Sequence, residues 1–565
     1  MTALAVAVSA LTERMPPRRT LLAGTLALLG LRLVISLARS GPVIMADEGG
    51  YLLNARILGG GTAAQMGSSP FYRGGYSLLI APIVSLDADP VATYHAVLVV
   101  NAVLAACLAP LLYALLARCF DVAPAAAAWA ALAGAAYPSV TALSQVALSE
   151  NALFPLTVAW LLCVGLLLRA RTRGAATAWA AAAGACAAAL WTVHGRMLVA
   201  VVLTAVLLLA GAARRRLDLR AAAGGLVVLA AGMVAARVLN DWLIATNYHG
   251  RGVDEVRRAF APLGNLDGLL RNLAGQGWYL LTATLGIVAL LVVHVLPPAL
   301  RRIRARRGRP ADEMLALLLV AALGLLAISA LWLATATRSD ELIYGRYVEP
   351  VAPVLVALGL ALPTRAGWPS GARTALAVLA ALTVVVAGAR SGLNLPGAPS
   401  RWNVASLPSV TGSLDAPVIA VAGLVAGTAL CAFVLVGRHA PGALAPLALV
   451  LFVPTTAYTV HLPVLQSERG VYPAGWTSPR TAVEQRRATA VGYDLDHFDH
   501  VRVKVYQWFL PHTPFVLFNG NRERAPSALF FSARARSGRL ARERAAVVWS
   551  DPGADQVLWQ LAPGR

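Results

Sequence analysis

Charged residues are scarce in this sequence, and acidic ones most of all. Only 13% of its 565 residues are charged, with 27 Asp and Glu against 48 Lys and Arg, while 58% are hydrophobic. Soluble domains carry about 25% charged residues, so a wholly soluble protein is excluded. Apolar runs of about 20 residues recur between positions 20 and 460, which predicts many transmembrane segments. The runs are continuous rather than alternating, which predicts helices rather than a barrel.

Cysteine and lysine are also rare. None of the cysteines has the CxxC spacing, and all lie in or beside apolar runs, so we expect small core residues rather than disulfides or metal ligands. The five are Cys107, Cys119, Cys163, Cys186 and Cys431. Lysine occurs once, at Lys504.

Arginine supplies almost all of the formal net charge of +21. In a soluble protein that charge would favour nucleic-acid binding. Here the arginine clusters fall mostly between apolar runs, as the positive-inside rule requires, so we predict a plasma-membrane protein that binds membrane lipids and no nucleic acid. Residues 1–19 are predicted as a cytoplasmic tail.

About 13 spans are predicted. They are residues 20–38, 92–117, 123–141, 150–168, 175–192, 197–213, 221–239, 278–296, 314–334, 347–362, 374–389, 417–436 and 443–460. Counted from a cytoplasmic N-terminus, the basic clusters that follow spans 4, 6, 8 and 12 all fall inside. The first outer loop, 40–91, holds two apolar pieces too short to cross, which we expect to form interfacial helices.

The composition becomes more polar from residue 461, so the chain is divided into a transmembrane domain, 20–460, and a domain of residues 461–565 outside the membrane. We predict strands at Val501–Tyr506, Phe515–Phe518 and Ala545–Ser550, and a helix at Ala482–Ala490. The predicted fold class is therefore mostly α and polytopic, with a small extracytoplasmic α/β domain.

Polar residues at the outer helix ends form the candidate site. They are Asp47, Glu48, Tyr51, Glu150, His194, Arg196, Arg346 and Tyr347. This set suits glycosyl transfer from a polyprenyl-phosphate sugar. A carboxylate can take the proton of the acceptor hydroxyl, and arginine can hold the phosphate that leaves. Charges at the bilayer centre cost about 2.5–3.5 kcal/mol each on insertion scales, so helix ends are where such groups belong.

Three short motifs resemble the GT-C membrane glycosyltransferases, which include the protein O-mannosyltransferases and the lipid A aminoarabinose transferase. They are DEGGY at 47–51, Pro138 with SEN at 149–151, and GRYVEPVAP at 345–353. The resemblance covers the layout of residues 20–460 and implies a GT-C-like transmembrane domain. It does not extend to residues 461–565.

The resemblance implies that Asp47 is the catalytic base and Glu48 the second carboxylate of the pair, and that Arg346 contacts the donor phosphate. We expect Glu48 and Glu150 to orient the sugar or the acceptor, and Arg196 to help hold the phosphate. The remaining site residues are assigned to substrate binding. No outer-loop pattern indicates a metal site, although some family members use a divalent cation, so that point is left open. The acceptor is a glycan, a lipid or a protein.

Other interpretations of these residues stay open. Asp47 and Glu48 also suit a solvated loop or the first turn of the helix that follows them. A transporter or glycolipid flippase would use carboxylates within the membrane and broken helices in matching halves of the chain. A glycan ligase or polymerase would take its glycan from a lipid diphosphate.

Overall fold

The computed structural model describes residues 2–43, 45–66, 70–86, 89–248, 264–335, 338–362, 372–392, 400–410, 413–497, 502–520, 522–534 and 545–562. Within these residues the protein is a helical bundle followed by a small five-stranded sheet near the C-terminal end.

Helices account for most of the described chain. They are α1 (Thr2–Arg14), α2 (Pro17–Ser36), α3 (Met45–Leu58), α4 (Gly74–Val84), α5 (Pro90–Ala106), α6 (Leu108–Cys119), α7 (Pro124–Ala135), α8 (Pro138–Leu143), α9 (Glu150–Leu168), α10 (Arg173–Val193), α11 (Leu198–Ala213), α12 (Leu219–Asn247), α13 (Leu266–Ala283), α14 (Ile287–Leu290), α15 (Leu296–Arg304), α16 (Pro310–Trp332), α17 (Ala352–Ala361), α18 (Ala372–Ser391), α19 (Ala416–His439), α20 (Leu444–Thr459), α21 (Ser467–Val471), α22 (Arg480–Glu484) and α23 (Arg502–Phe509).

The polytopic helical architecture is the predicted one, with fewer long spans than the sequence indicated. Ten helices of the described residues are long and apolar enough to cross a membrane. The number rises to 11 when Leu266–Ala283 and Ile287–Arg304, bent by 104° at a short break, are counted as one span. The sequence predicted about 13.

Proline accounts for two of the missing spans. The predicted span 123–141 is divided into α7 and α8 just before Pro138, which has no N–H to continue the helix. The predicted span 347–362 begins as two short 3₁₀ turns, Gly345–Tyr347 and Glu349–Val351, before α17 starts. Uninterrupted hydrophobicity therefore overstated the length of these helices.

The segment predicted as the first outer loop contains helices α3 and α4, where two short apolar pieces were predicted. Helix α3 is largely buried: Leu52, Leu53 and Ala55 have no exposed surface. It packs against α4 on one side and against α23 of the C-terminal domain on the other. The covering protein fixes the position of the acidic N-terminal turn of α3.

The C-terminal sheet is mixed, with strand order β2-β1-β3-β5-β4. Its strands are β1 (Val491–Asp494), β2 (Phe515–Phe518), β3 (Leu529–Ala533), β4 (Ala546–Asp551) and β5 (Gln556–Gln560). Strand β1 runs parallel to β2 and β3, whereas β5 runs antiparallel to β3 and β4. The predicted strands at 515–518 and 545–550 correspond to β2 and β4, and only residues 482–484 of the predicted helix 482–490 are helical, as the end of α22.

The predicted strand at Val501–Tyr506 is wrong, because residues 502–509 form helix α23. The alternation of Val with Arg and Lys suggested one buried and one solvated face. In fact every residue of α23 is buried. Arg502 is buried against Asp551, with 3.1 Å between Nη1 and Oδ2. The strand prediction assumed that the polar side chains of this segment are exposed. Because they are buried with partners instead, the alternation of polar and apolar residues does not mark an exposed face.

Polar contacts join the C-terminal domain to α3 and the residues that follow it. Arg56 Nη1 of α3 donates to the carbonyl of Gln507 at 2.6 Å. The hydroxyl of Thr62 donates to the carbonyl of Pro511 at 2.8 Å. The helix that leads into the domain is held by the ion pair between Arg39 and Glu468, 2.7 Å long and almost fully buried. These contacts hold the C-terminal domain against α3.

Candidate active site

The acidic pair predicted as catalytic lies in the first turn of α3. Carboxylates are favourable there because the helix dipole places partial positive charge at this end. Adjacent residues on a helix point about 100° apart, and the two side chains have different surroundings. The side chain of Asp47 is 26% exposed, whereas Glu48 has no exposed surface.

Arg346 forms ion pairs with both Asp47 and Glu150, which are about 100 positions apart in the sequence. Its Nη1 pairs with Asp47 Oδ2. Its Nε donates to Glu150 Oε1 at 2.9 Å and its Nη2 to Glu150 Oε2 at 3.2 Å. All three guanidinium nitrogens are therefore engaged, and the bidentate contact fixes the plane of the group.

Arg196 supplies a second guanidinium to the same carboxylate. Its Nη2 donates to Glu150 Oε1 at 2.8 Å, and its central carbon lies 4.7 Å from the centroid of the Tyr347 ring. Within the described residues its Nε and Nη1 are buried without a hydrogen-bond partner. Buried donors of this kind are rare in native proteins and are explained by a ligand, ion or water.

His194 and the tyrosines line this ion network. The ring of Tyr347 makes edge contacts with His194, at 5.7 Å between centroids, and with Tyr344, at 5.0 Å. His194 Nδ1 accepts from the backbone N–H of Arg196 at 3.3 Å. Burial and the charge of Arg196 lower the pKa of His194 well below its usual value, so the imidazole is neutral at physiological pH.

Tyr51 lies on the other side of the network and packs edge-on against Tyr72 and Tyr76 at 5.4 and 5.6 Å. Burial and the nearby Glu150 raise the pKa of Tyr51, so its hydroxyl stays protonated. Seven of the eight candidate residues are thus brought together: Asp47, Tyr51, Glu150, His194, Arg196, Arg346 and Tyr347.

Glu48 is the exception. Its oxygens accept hydrogen bonds from Val43 N at 2.6 Å, from the Tyr94 hydroxyl at 2.6 Å and from Ala147 N at 2.7 Å. These donors come from three separate segments of the chain. The carboxylate thereby ties the start of α3 to the segment that precedes α9, and this arrangement favours a positioning role over contact with a substrate.

Glu48→Gln is expected to lower the stability of the protein rather than its chemistry. An amide presents an NH₂ group to at least one of three donors, and a buried unsatisfied donor costs about 1–3 kcal/mol. Thermal unfolding of the detergent-purified protein measures this, with Glu484→Gln on the exposed Arg480 pair as the control. A variant with an unchanged melting temperature and a hundredfold loss of turnover would instead assign Glu48 to substrate contact.

Three further residues that the sequence did not indicate border the site. Arg73 stacks on Trp191, with 4.4 Å between its central carbon and the ring centroid. Tyr72 lies against Gly50, where any side chain on residue 50 would overlap its ring. Lys504 reaches the same place from α23, with Nζ 5.1 Å from the centroid of the Tyr72 ring. The only available signal was the solitary occurrence of lysine at position 504.

The donor set does not fit a divalent cation. Guanidinium groups occupy the positions beside Asp47 and Glu150 that a bridging ion would need. Over the described part of the chain, no group of three His, Cys, Asp or Glu side chains is placed to hold a metal.

A cavity of about 270 Å³ lies at the other end of α3. It opens between α3, the start of α5 and the end of α23. Its lining includes Arg56, Gly60, Thr93, Trp508 and His512. Arg56 therefore both lines this cavity and bonds to α23 through the carbonyl of Gln507.

Comparison with known proteins identifies solved structures of similar fold. No family model and no curated protein matches the sequence. A crystal structure of ArnT from Cupriavidus metallidurans bound to undecaprenyl phosphate aligns with a TM-score of 0.55 and 17% identity, over 96% of this chain and 98% of that one. The apo form aligns with a TM-score of 0.50 and 16% identity, over 95% and 96%. The chain therefore shares the GT-C fold of the ArnT structures.

Proposed function

We propose that the protein is an inverting glycosyltransferase that moves a sugar from a polyprenyl-phosphate donor to an acceptor hydroxyl. The observation that carries this proposal is the partial exposure of Asp47 in a network whose other members, Glu150, Arg196 and Arg346, are buried. One carboxylate faces an accessible space, and the buried guanidinium of Arg346 pairs with it. The GT-C fold and the undecaprenyl phosphate bound to the similar ArnT structure support a lipid-linked donor.

Asp47 is the proposed base. The acceptor oxygen attacks the anomeric carbon from the face opposite the phosphate, and its proton passes to the carboxylate. The bond between the anomeric carbon and the phosphate oxygen breaks, and the electron pair remains on polyprenyl phosphate. Arg346 holds Asp47 in a single orientation, so much of the rate gain comes from positioning the two substrates.

The substrate-binding roles follow from the contacts of each residue. Arg196 is proposed to contact the donor phosphate through Nε and Nη1, because these buried donors have no partner among the described residues. Arg346, which the sequence assigned to the phosphate, already uses its three nitrogens on Asp47 and Glu150, and we assign it to positioning. His194, Tyr347 and Tyr51 line the place proposed for the sugar.

The proposed setting is the plasma membrane, with residues 1–19 cytoplasmic, residues 20–460 embedded, and residues 461–565 outside. Donor and acceptor meet on the outer face. A glycan, a lipid or a protein carries the acceptor hydroxyl.

Turnover of defined donors tests the function. The full-length protein in lipid nanodiscs is supplied with polyprenyl-phosphate sugars and with glycan, lipid and peptide acceptors, and the release of polyprenyl phosphate is measured. The proposal requires product of inverted anomeric configuration. Consumption of a lipid diphosphate donor alone would indicate a ligase or polymerase. Movement of intact donor across a vesicle membrane without cleavage would indicate a flippase.

The sidedness has its own test. Arg524 is exposed on the C-terminal domain, and Arg304 is exposed at the end of α15. With the native cysteines replaced, we expect Arg524→Cys to react with a membrane-impermeant maleimide in intact cells. The control, Arg304→Cys, should react only after lysis. The opposite labelling pattern would place the domain in the cytoplasm.

A further inference from the structure

We propose that Lys504 of the C-terminal domain belongs to the active site, where its ammonium group contacts the donor phosphate beside Asp47. This role deepens the function proposed above and rests on it. It means that the active site is built from both the membrane helices and the domain that follows them.

The position of Lys504 is set by close packing. The residue is 1% exposed and lies on α23, which packs against α3. A β-carbon on Gly49 would lie only 2.6 Å from the β-carbon of Lys504, so glycine is required for the lysine stem to pass α3 at this point. Beyond it, the ammonium group lies 5.1 Å from the centroid of the Tyr72 ring and within electrostatic reach of Asp47.

The charges of the ion network do not neutralise the donor phosphate, which leaves a role for the Lys504 ammonium group. Asp47 and Glu150 are matched by Arg346 and Arg196, so these four residues sum to zero. The donor is a phosphodiester with one negative charge, and the departing polyprenyl phosphate carries two. Lys504 adds a positive charge near Asp47, while the guanidinium of Arg73 is stacked on Trp191.

Transfer increases the charge that the lysine meets. As the acceptor oxygen bonds to the anomeric carbon and its proton passes to Asp47, the carbon–oxygen bond to the phosphate breaks and leaves its electron pair on the phosphate. A cation contacting that phosphate is bound more strongly in the transition state than in the ground state, which is the condition for acceleration.

The charge state of Lys504 suits this role. Burial lowers the pKa of Lys504 to about 8, and the Asp47 carboxylate opposes that lowering. The group therefore carries its charge at neutral pH.

Lipid binding by charge variants tests the inference without requiring turnover. Full-length wild type, Lys504→Met, Lys504→Arg and the exposed-charge control Arg522→Met are placed in phosphatidylcholine nanodiscs. Their affinities for undecaprenyl phosphate and for uncharged undecaprenol are then measured. We expect Lys504→Met to bind undecaprenyl phosphate about tenfold to a hundredfold more weakly, the range for one charge-assisted hydrogen bond. Undecaprenol affinity should not change, and Arg522→Met should match wild type.

Two results would overturn the inference. One is wild-type affinity of Lys504→Met for undecaprenyl phosphate. The other is an equal loss of affinity for both lipids that Lys504→Arg does not restore, which would mean a structural effect. Failure of the proposed function looks different, since wild type would then release no polyprenyl phosphate from any sugar donor while the lysine-dependent binding persisted.

Discussion

Asp47→Asn is expected to lower the turnover number for the lipid-linked donor by about 10²–10⁴-fold, the range attributed to a positioned general base. Asparagine has the size of aspartate and can accept a hydrogen bond from Arg346, but it cannot take the acceptor proton. Arg346 keeps its two contacts with Glu150, so the site stays assembled. The affinity for undecaprenyl phosphate should remain within a few-fold of wild type.

The matched control is Asp241→Asn, which changes an exposed carboxylate on α12 that pairs with Arg237. It should turn over the donor like wild type. Donor release is measured at saturating donor and acceptor, so that turnover is separated from binding. Wild-type turnover by Asp47→Asn would remove Asp47 as the base. Lost donor binding would instead make its role structural.

Glu150→Gln is expected to destabilise the protein by about 3–5 kcal/mol, the cost of breaking a buried ion pair. The carboxylate has no exposed surface and pairs with both Arg196 and Arg346. Without it, Arg346 keeps Asp47 as its carboxylate partner, and the buried Arg196 loses the carboxylate with which it pairs. Turnover should fall as well, because Arg346 would no longer be held in the plane that orients Asp47.

Chemical denaturation in detergent measures this effect against a surface pair. Glu313→Gln removes the partner of Arg216 in an ion pair whose side chains are 34% and 64% exposed, and such pairs contribute about 0–1 kcal/mol. A double-mutant cycle of Glu150→Gln with Arg196→Met should show coupling, since the second change removes one stranded charge. Equal, small losses for Glu150→Gln and Glu313→Gln would contradict the buried network.

The convergence of the polar helix ends could be predicted from sequence. Asp47, Glu150, Arg196 and Arg346 are far apart in the chain, but each stands next to an apolar run on what the alternation of spans makes one face of the membrane. That reasoning needs only helix lengths and the positions of arginine clusters.

The different roles of Asp47 and Glu48 within the site could not be predicted in the same way. Asp47 and Glu48 are adjacent and chemically alike, and only the direction of each side chain on α3 separates the accessible carboxylate from the buried one. The contribution of Lys504 depends on how a separate domain docks, and its helix was predicted as a strand because buried charges mimicked an exposed face. Tertiary contacts of this kind leave no periodic signal in the sequence.

The packing of the C-terminal domain against α3 has a consequence for how the chain folds during synthesis. Arg56 and its partner Gln507 are 451 residues apart, which a ribosome adding about 5–20 residues per second takes roughly 20–90 s to bridge. During that interval α3 is in place without the domain that buries it. On the proposal that Lys504 contributes to the active site, that site is complete only after the segment around residue 504 has been synthesised and has packed against α3.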